Sequence, residues 1–222
     1  MLFRSMDREK VVEKSISLLK SYGYLVTTGV LTASDLGWPQ TRSRHFLIAS
    51  RIKQPIDVKY ISEMLHNETK DVMWAIKDLL DLYGRDEIFD VVPKLTKENE
   101  KRVNWLFDNN SFELPNHIRP DCHKDGNTYP SVYGRMYPEK PAPTLTTGFQ
   151  SPGRGRYVHP TQRRVLTAHE AARLQGFPDG FEFEASGKNL SRGMLQKWIG
   201  DAVPSILGYA AGIVAINSIA QY

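Results

Sequence analysis

Apolar residues recur at helical spacing in several stretches of the first half of this 222-residue chain. Such spacing places the apolar side chains on one face of a helix. The pattern predicts a helix from about residue 7 to Gly23 and short amphipathic helices between residues 56 and 110. The positions that set it are Val12, Ile16 and Leu19, then Val58, Ile61 and Leu65, then Val72, Ile76 and Leu79, and finally Val103 and Leu106.

Two segments near the start have the β-branched and aromatic composition of strands. The first runs from Tyr24 to Leu31 and the second from His45 to Ser50, with a loop that contains Gly37 and Pro39 between them. A helix followed by two strands is the end of an α/β sheet, and about 50 residues are too few to complete one. We therefore expect the remaining strands to come from elsewhere.

The second half of the chain changes from irregular to helical. Eight prolines between residues 114 and 160 predict loops with few short strands. Thr167 and Glu170 have the spacing of a capping box, which predicts the start of a helix. Pro204 suits the first turn of a helix, so a last helix is expected over residues 204–219.

Charge is unevenly distributed around a net value of +4. Residues 57–100 carry eleven acidic and six basic side chains, so the rest of the chain is clearly basic. This layout favours a face for a polyanion, although a solvated charged face gives the same pattern.

The single cysteine, Cys122, excludes an internal disulfide and is typical of a reducing compartment. The chain opens without a charged and apolar leader. The uncharged stretch 202–222 is interrupted by Pro204 and Asn217, which favours a buried helix over a membrane span. We expect a cytoplasmic protein without a membrane partner.

Pro39-Gln-Thr-Arg-Ser-Arg44 lies on the loop that enters the second strand. If Arg44 begins that strand, Arg42 and Arg44 point to the same side. Two guanidiniums on one side would bind a phosphate and an acceptor oxygen together, because they are planar donors that stay charged. A solvated arginine pair has the same spacing, so spacing alone does not decide.

The segment 144–164 is the strongest candidate for contacting a polyanion. Its glycines let the backbone approach a groove closely, and residues 151–173 hold five arginines and one acidic residue. The candidate contacts are Arg154, Arg156, Arg163 and Arg164. Which of Arg154 and Arg156 would read a guanine edge stays open, as does a plain solvent loop.

Four strings, in order, resemble motifs of the DNA cytosine-5 methyltransferases. The segment 31–49, with its Pro-Gln and Arg-x-Arg, resembles motif VIII, and Pro143-Thr-Leu-Thr-Thr-Gly148 continues the likeness. The segment 164–179, which ends in Leu-Gln-Gly-Phe-Pro-Asp, is similar to motif IX, and Ile199-Gly-Asp-Ala-Val-Pro204 to motif X. Four matches in the family's order are much more specific than any one.

The resemblance implies an α/β fold. It would be the C-terminal part of a class I methyltransferase, with the end of a Rossmann-like sheet, a small irregular target recognition domain, and a C-terminal helix packed back on the catalytic domain. The implied domains are 1–55, the end of the catalytic domain; 56–163, target recognition; and 164–222, motifs IX and X.

The resemblance also assigns roles to single residues. Arg44 would contact the flipped base with support from Arg42, and Thr144 matches the family threonine that contacts a phosphate beside that base. Asp201 departs from the family's usual asparagine and places a charge where an amide would donate a hydrogen bond. The donor pocket would be lined by Gly200, Asp201, Ala202 and Val203.

Methylation of cytosine at carbon 5 requires a thiolate, a carboxylic acid at ring nitrogen 3, and S-adenosylmethionine, with the base outside the duplex. In the family the thiolate follows a proline, the acid lies in a Glu-Asn-Val string, and the donor lies over a Gly-rich turn; this sequence has none of them. Cys122 follows Asp121 and is best interpreted as a loop cysteine. With His117 and His123 it is one ligand short of a closed zinc site, so no metal is predicted.

Two hypotheses follow. In the first, the chain is the recognition segment of a bacterial or phage restriction-modification methyltransferase, inactive alone. Its catalytic half, which binds most of the S-adenosylmethionine, lies on another polypeptide or in an upstream segment. In the second, the chain is a non-catalytic, sequence-selective DNA-binding or regulatory subunit. Double-stranded DNA is the expected partner in both.

Overall fold

The computed structural model describes residues 10–81, 88–124, 131–183 and 190–220. The predicted helices and strands are confirmed within a few residues of their expected ends, except that residues 7–9 lie outside the described part. The elements are α1 (Val11–Ser21), β1 (Leu25–Thr32), β2 (Ser43–Ser50), α2 (Val58–Met64), α3 (Val72–Ile76), α4 (Lys97–Asp108), α5 (Ala168–Gln175), α6 (Arg192–Asp201) and α7 (Ser205–Asn217).

The first of two compact units comprises residues 10–38, 42–69 and 205–220. Strands β1 and β2 pair antiparallel, from Leu25 opposite Ser50 to Thr32 opposite Ser43. Gly29 lets α2 approach β1, because an added Cβ would lie 2.8 Å from Val58 Cβ. The core of this unit consists of Leu31, Ala33, Leu36, Val58, Ile61, Leu207, Ala210 and Val214.

The second unit comprises residues 39–41 and 70–204 and contains two apolar clusters. The larger cluster is formed mainly by α3, α5, α6 and the loop residues Leu145 and Phe149. The smaller one forms around α4, where Val103 and Leu106 are fully buried together with Leu114 and Val158.

The boundaries of these units differ from the expected domain limits at 55/56 and 163/164. The first unit extends to residue 69 because Val58 and Ile61 of α2 complete its core. The second unit extends to residue 204 because Leu174 of α5 and Leu195 of α6 belong to its core. Only α7 and the residues after it return to the first unit.

No single helix in the described part of the chain is long and apolar enough to cross a membrane. Helices α6 and α7 pass on length and composition only when taken together as a bent pair.

Candidate nucleic-acid interface

The turn from Thr144 to Gly148 is fixed by hydrogen bonds to the side chain of Tyr157. The Tyr157 ring is buried, and its hydroxyl donates to the Thr144 carbonyl oxygen at 3.1 Å and lies 3.1 Å from Thr146 Oγ1. Leu145 is fully buried, which anchors the turn in the core. Thr146 and Thr147 are consequently exposed, while Thr144 is half-buried.

Arg154 ends a short 3₁₀ turn, Pro152–Arg154, beside this threonine turn. Its stem lies over Gly148, where an added Cβ would lie 2.7 Å from Arg154 Cγ. The residue is exposed, and its guanidinium makes no ion pair or hydrogen bond with the described residues. Arg154 is therefore available to an anion.

Arg156 and Arg163 are both engaged with the protein. Arg156 Nη1 donates to the Phe112 carbonyl oxygen at 2.8 Å, and its Nη2 pairs with Glu113 at 2.6 Å. Arg163 is exposed and pairs with Asp108 at 2.7 Å. Arg156 thus fixes the loop internally, whereas Arg163 remains at the surface with an acidic partner.

Arg164 is not at the surface, which corrects the expectation that it contacts DNA. It is 5% exposed and forms a two-point ion pair with Glu170, at 2.7 Å to Oε2 and 2.6 Å to Oε1. Burial alone raises a carboxyl pKa, but the hydrogen bonds from Arg164 and His159 outweigh it and lower the pKa of Glu170 to about 2. Arg164 therefore stabilises the buried carboxylate of Glu170 inside the second unit.

The capping box predicted at Thr167 is confirmed, and Glu170 connects it to His159. His159 Nδ1 accepts the backbone N–H groups of Thr161 and Gln162, each at 3.1 Å. The proton of the neutral ring is consequently on Nε2, 3.4 Å from Glu170 Oε1. Burial lowers the pKa of His159, so the ring is held neutral and fixes the loop that carries Arg163.

The two arginines of the first unit differ in exposure. Strand β2 begins at Ser43, so Arg42 precedes the strand and is 4% exposed. Arg44 is half-buried, and its Nη1 donates to the Ser43 carbonyl oxygen at 2.9 Å. Burial lowers the pKa of Arg44, although the group stays charged near neutral pH. Of the two, Arg44 is the one with a surface for a ligand.

The segment expected to line the donor pocket fits that role only in part. The space beside Gly200 is filled by protein, since an added Cβ would overlap the backbone of Thr146 and Thr147. Asp201 is exposed and pairs with Lys197 at 2.8 Å, Ala202 is half-buried and Val203 is exposed. Only the exposed residues of this segment remain open to a donor.

Two buried glutamines join the motif strings, a role that the sequence reasoning missed. Gln40 Nε2 donates to the Leu174 carbonyl oxygen at 3.0 Å. Gln175 Nε2 donates to the carbonyl oxygens of Ile199 and Ala202. Both glutamines lie within the motif strings quoted above, and this was the sequence signal that could have indicated their role.

Cys122 is exposed on a 3₁₀ turn, Asp121–His123. Within the described ranges, no group of three histidine, cysteine or acidic side chains is arranged to hold a metal ion.

Comparison with known proteins decides the family. The sequence profile of the C-5 cytosine-specific DNA methylases matches residues 2–212. The chain belongs to this family. The Type II methyltransferase M1.BsuMI of Bacillus subtilis is 47% identical over 193 residues, which are 86% of this chain and 44% of that protein. The Type II methylase M.HgiDII of Herpetosiphon aurantiacus is 33% identical over 92% of this chain and 59% of its own length.

This C-5 methylase chain therefore spans about half the length of the curated relatives it matches. Among solved structures, it is similar to the Dnmt2 methyltransferase of S. pombe, with a TM-score of 0.60 and 16% identity over 96% of this chain and 64% of the other. The Entamoeba histolytica methyltransferase EhMeth gives a TM-score of 0.53 and 13% identity over 96% of this chain and 60% of its own. These structures show an α/β methyltransferase fold.

Proposed function

We propose that this chain is the target-recognition segment of an enzyme that methylates carbon 5 of cytosine in duplex DNA. The observation that carries the proposal is the exposed threonine turn beside Arg154, a guanidinium without an acidic partner among the described residues, in a chain of the C-5 methylase family. Hydroxyls and arginines are the groups that position proteins on DNA phosphates. Thr144 and Arg154 are the proposed DNA contacts, and the exposed Arg163 is a further candidate.

Arg44 is the proposed contact to the extruded base. It is half-buried at the start of β2, where a planar, permanently charged donor has both support and access. Arg42 is buried beside it in sequence and supports the loop.

The thiolate and the acid that this chemistry requires are proposed to come from residues outside this sequence. Cys122 follows Asp121 rather than a proline, and it lies exposed on a short 3₁₀ turn. S-adenosylmethionine would supply the methyl group, and from this chain the exposed residues Asp201 and Val203, with the half-buried Ala202 between them, are the candidates to line its pocket. We propose that most of the donor site lies in the complementing catalytic half and that the chain alone is inactive.

The test is reconstitution. The chain is mixed with the half of a relative such as M1.BsuMI that lies outside the alignment, then incubated with duplex DNA and labelled donor. Incorporation only in the mixture supports the proposal, while incorporation by the chain alone contradicts the assignment of the nucleophile. Arg44→Ala should lower kcat in the mixture by roughly 100-fold, while Lys53→Ala, at an exposed position after the same strand, should not.

A second function, non-catalytic DNA binding, is favoured by one observation. The second unit has two apolar clusters of its own, so a core supports the threonine turn within that unit. Sequence-selective binding by the chain, with no activity in any mixture, would favour this alternative.

A further inference from the structure

The exposed threonine turn is contacted at two points by groups that leave no spare room. The backbone of Thr146 and Thr147 lies against Gly200 of α6 and occupies the space that a Cβ atom at position 200 would need. At Gly148, the same space is filled by the stem of Arg154, with Cβ 2.8 Å and Cγ 2.7 Å away. One turn is therefore shaped by a helix at one end and by an arginine at the other.

The groups that this turn presents are suited to one phosphate. Thr146 and Thr147 are exposed, and the stem of Arg154, whose guanidinium has no partner among the described residues, lies against Gly148 of this turn. Because Tyr157 donates its one hydroxyl proton to the Thr144 carbonyl, the Thr146 hydroxyl donates to Tyr157 at 3.1 Å and is fixed by it. The Thr147 hydroxyl is the side-chain donor that this turn offers to a ligand. Neutral donors beside a guanidinium bind an anion well when their backbone is held in place.

We propose that Gly200 is a positioning residue for DNA: it seats α6 against Thr146 and Thr147 and so holds them, with Arg154, in the arrangement that binds one backbone phosphate. This inference rests on the proposed function. It assigns Gly200 to the DNA contact rather than to the donor pocket. The physical reason is that glycine alone leaves room for the turn at this point of α6.

A glycine pair on one helix supplies the test and its control. Gly200→Ala forces the turn away from α6, whereas Gly193, on the same helix, has nothing within 4 Å of an added Cβ. The dissociation constant of the full chain for a labelled duplex is measured over a range of salt concentrations. We expect about tenfold weaker binding for Gly200→Ala and a change within about twofold for Gly193→Ala.

A double-mutant cycle separates positioning from general damage. Arg154→Gln should weaken binding and lower the salt slope by about one. If Gly200 acts through the threonine turn against which Arg154 packs, the double variant should bind no more weakly than the weaker single variant. Arg163→Gln, in another loop, should add its loss to that of Gly200→Ala.

The outcomes are distinct. If Gly200→Ala binds the duplex as well as Gly193→Ala does, the inference is wrong and the proposed function is unaffected. The same holds if the losses in binding free energy of Gly200→Ala and Arg154→Gln are additive. A wild-type chain that binds no duplex, alone or with its catalytic half, overturns both. If Gly200→Ala does not fold by circular dichroism, Gly148→Ala decides: it should copy Arg154→Gln, and wild-type binding would overturn the inference.

Discussion

Two neighbouring arginines show how little a residue's type says about its role. Arg163 is exposed and pairs with an exposed aspartate, whereas Arg164 is buried with Glu170. An exposed pair gains little because water screens it and two flexible side chains must be ordered. A buried charge that loses its partner keeps the full cost of its desolvation.

We expect Arg164→Met to lower the free energy of unfolding by about 3–5 kcal/mol, because Glu170 would remain buried without its main partner. Urea unfolding followed by circular dichroism measures the change. The matched control is Arg163→Met, for which the loss should not exceed about 1 kcal/mol. Equal losses for the two variants would contradict this assignment.

Stability should also depend on pH through the buried histidine. Burial lowers the pKa of His159, so the folded chain binds its proton less readily than the unfolded chain. Stability is then fully present above the ordinary pKa of 6.5 and declines as the pH falls below it. Glu170 adds a second decline from its ordinary 4.5 towards about 2. The free energy of unfolding measured at about pH 7.5 and about pH 5.5 should differ less in His159→Gln than in the wild type.

Local signals in the sequence were reliable, and distant ones were not. The capping box was readable because Thr167 and Glu170 are three residues apart on one helix turn. The ion pair of Arg164 with Glu170 could not be predicted from the sequence, because the burial of the two side chains depends on a core assembled from α3, α5 and α6. The role of Tyr157 was missed for the same reason, since its hydroxyl reaches a carbonyl thirteen residues away along an irregular loop.

Among the elements, the strand β1 and the helix α2 pack closely together at Gly29. Gly29 of β1 carries no side chain, and Val58 of α2 occupies the space, fully buried. The periodicity of α2 identified Val58 as apolar but did not show which strand it contacts. The sequence therefore predicted both elements without predicting their contact.

Gly29→Ala should destabilise the chain by about 1–3 kcal/mol, because a new methyl group would overlap Val58 in a packed core. Val58→Ala should also destabilise, by leaving a cavity. The double variant should lose less than the sum of the two, since each change makes room for the other. Thermal unfolding of the four proteins tests this, and strictly additive losses would show that the two residues do not interact.

On the scale of the whole molecule, the first unit exposes large apolar side chains on three of its elements. They lie on α1, the strand β1 and α7, and include Val11, Leu18, Leu25, Val30 and Ile216. Exposed apolar groups on a strand pair of this kind favour association with another polypeptide.

We expect the isolated chain to bind an apolar dye such as anilinonaphthalene sulfonate, and to release it as the proposed catalytic half is added. The release should saturate at about one half per chain, while an unrelated protein of similar size should have no effect. Dye fluorescence that stays constant during reconstitution of activity would mean that these side chains lie outside the interface.

The second unit includes three residues, 39–41, that are separated in sequence from the rest of the unit, residues 70–204. Pro39, Gln40 and Thr41 make their hydrogen bonds with Ala142 and Leu174, inside the second unit. A transplant of residues 70–204 between related proteins, as the proposed recognition segment, would lose these hydrogen bonds. A transplanted segment that also includes residues 39–41 from its source protein should retain its DNA target better, because the hydrogen bonds to Ala142 and Leu174 are then kept.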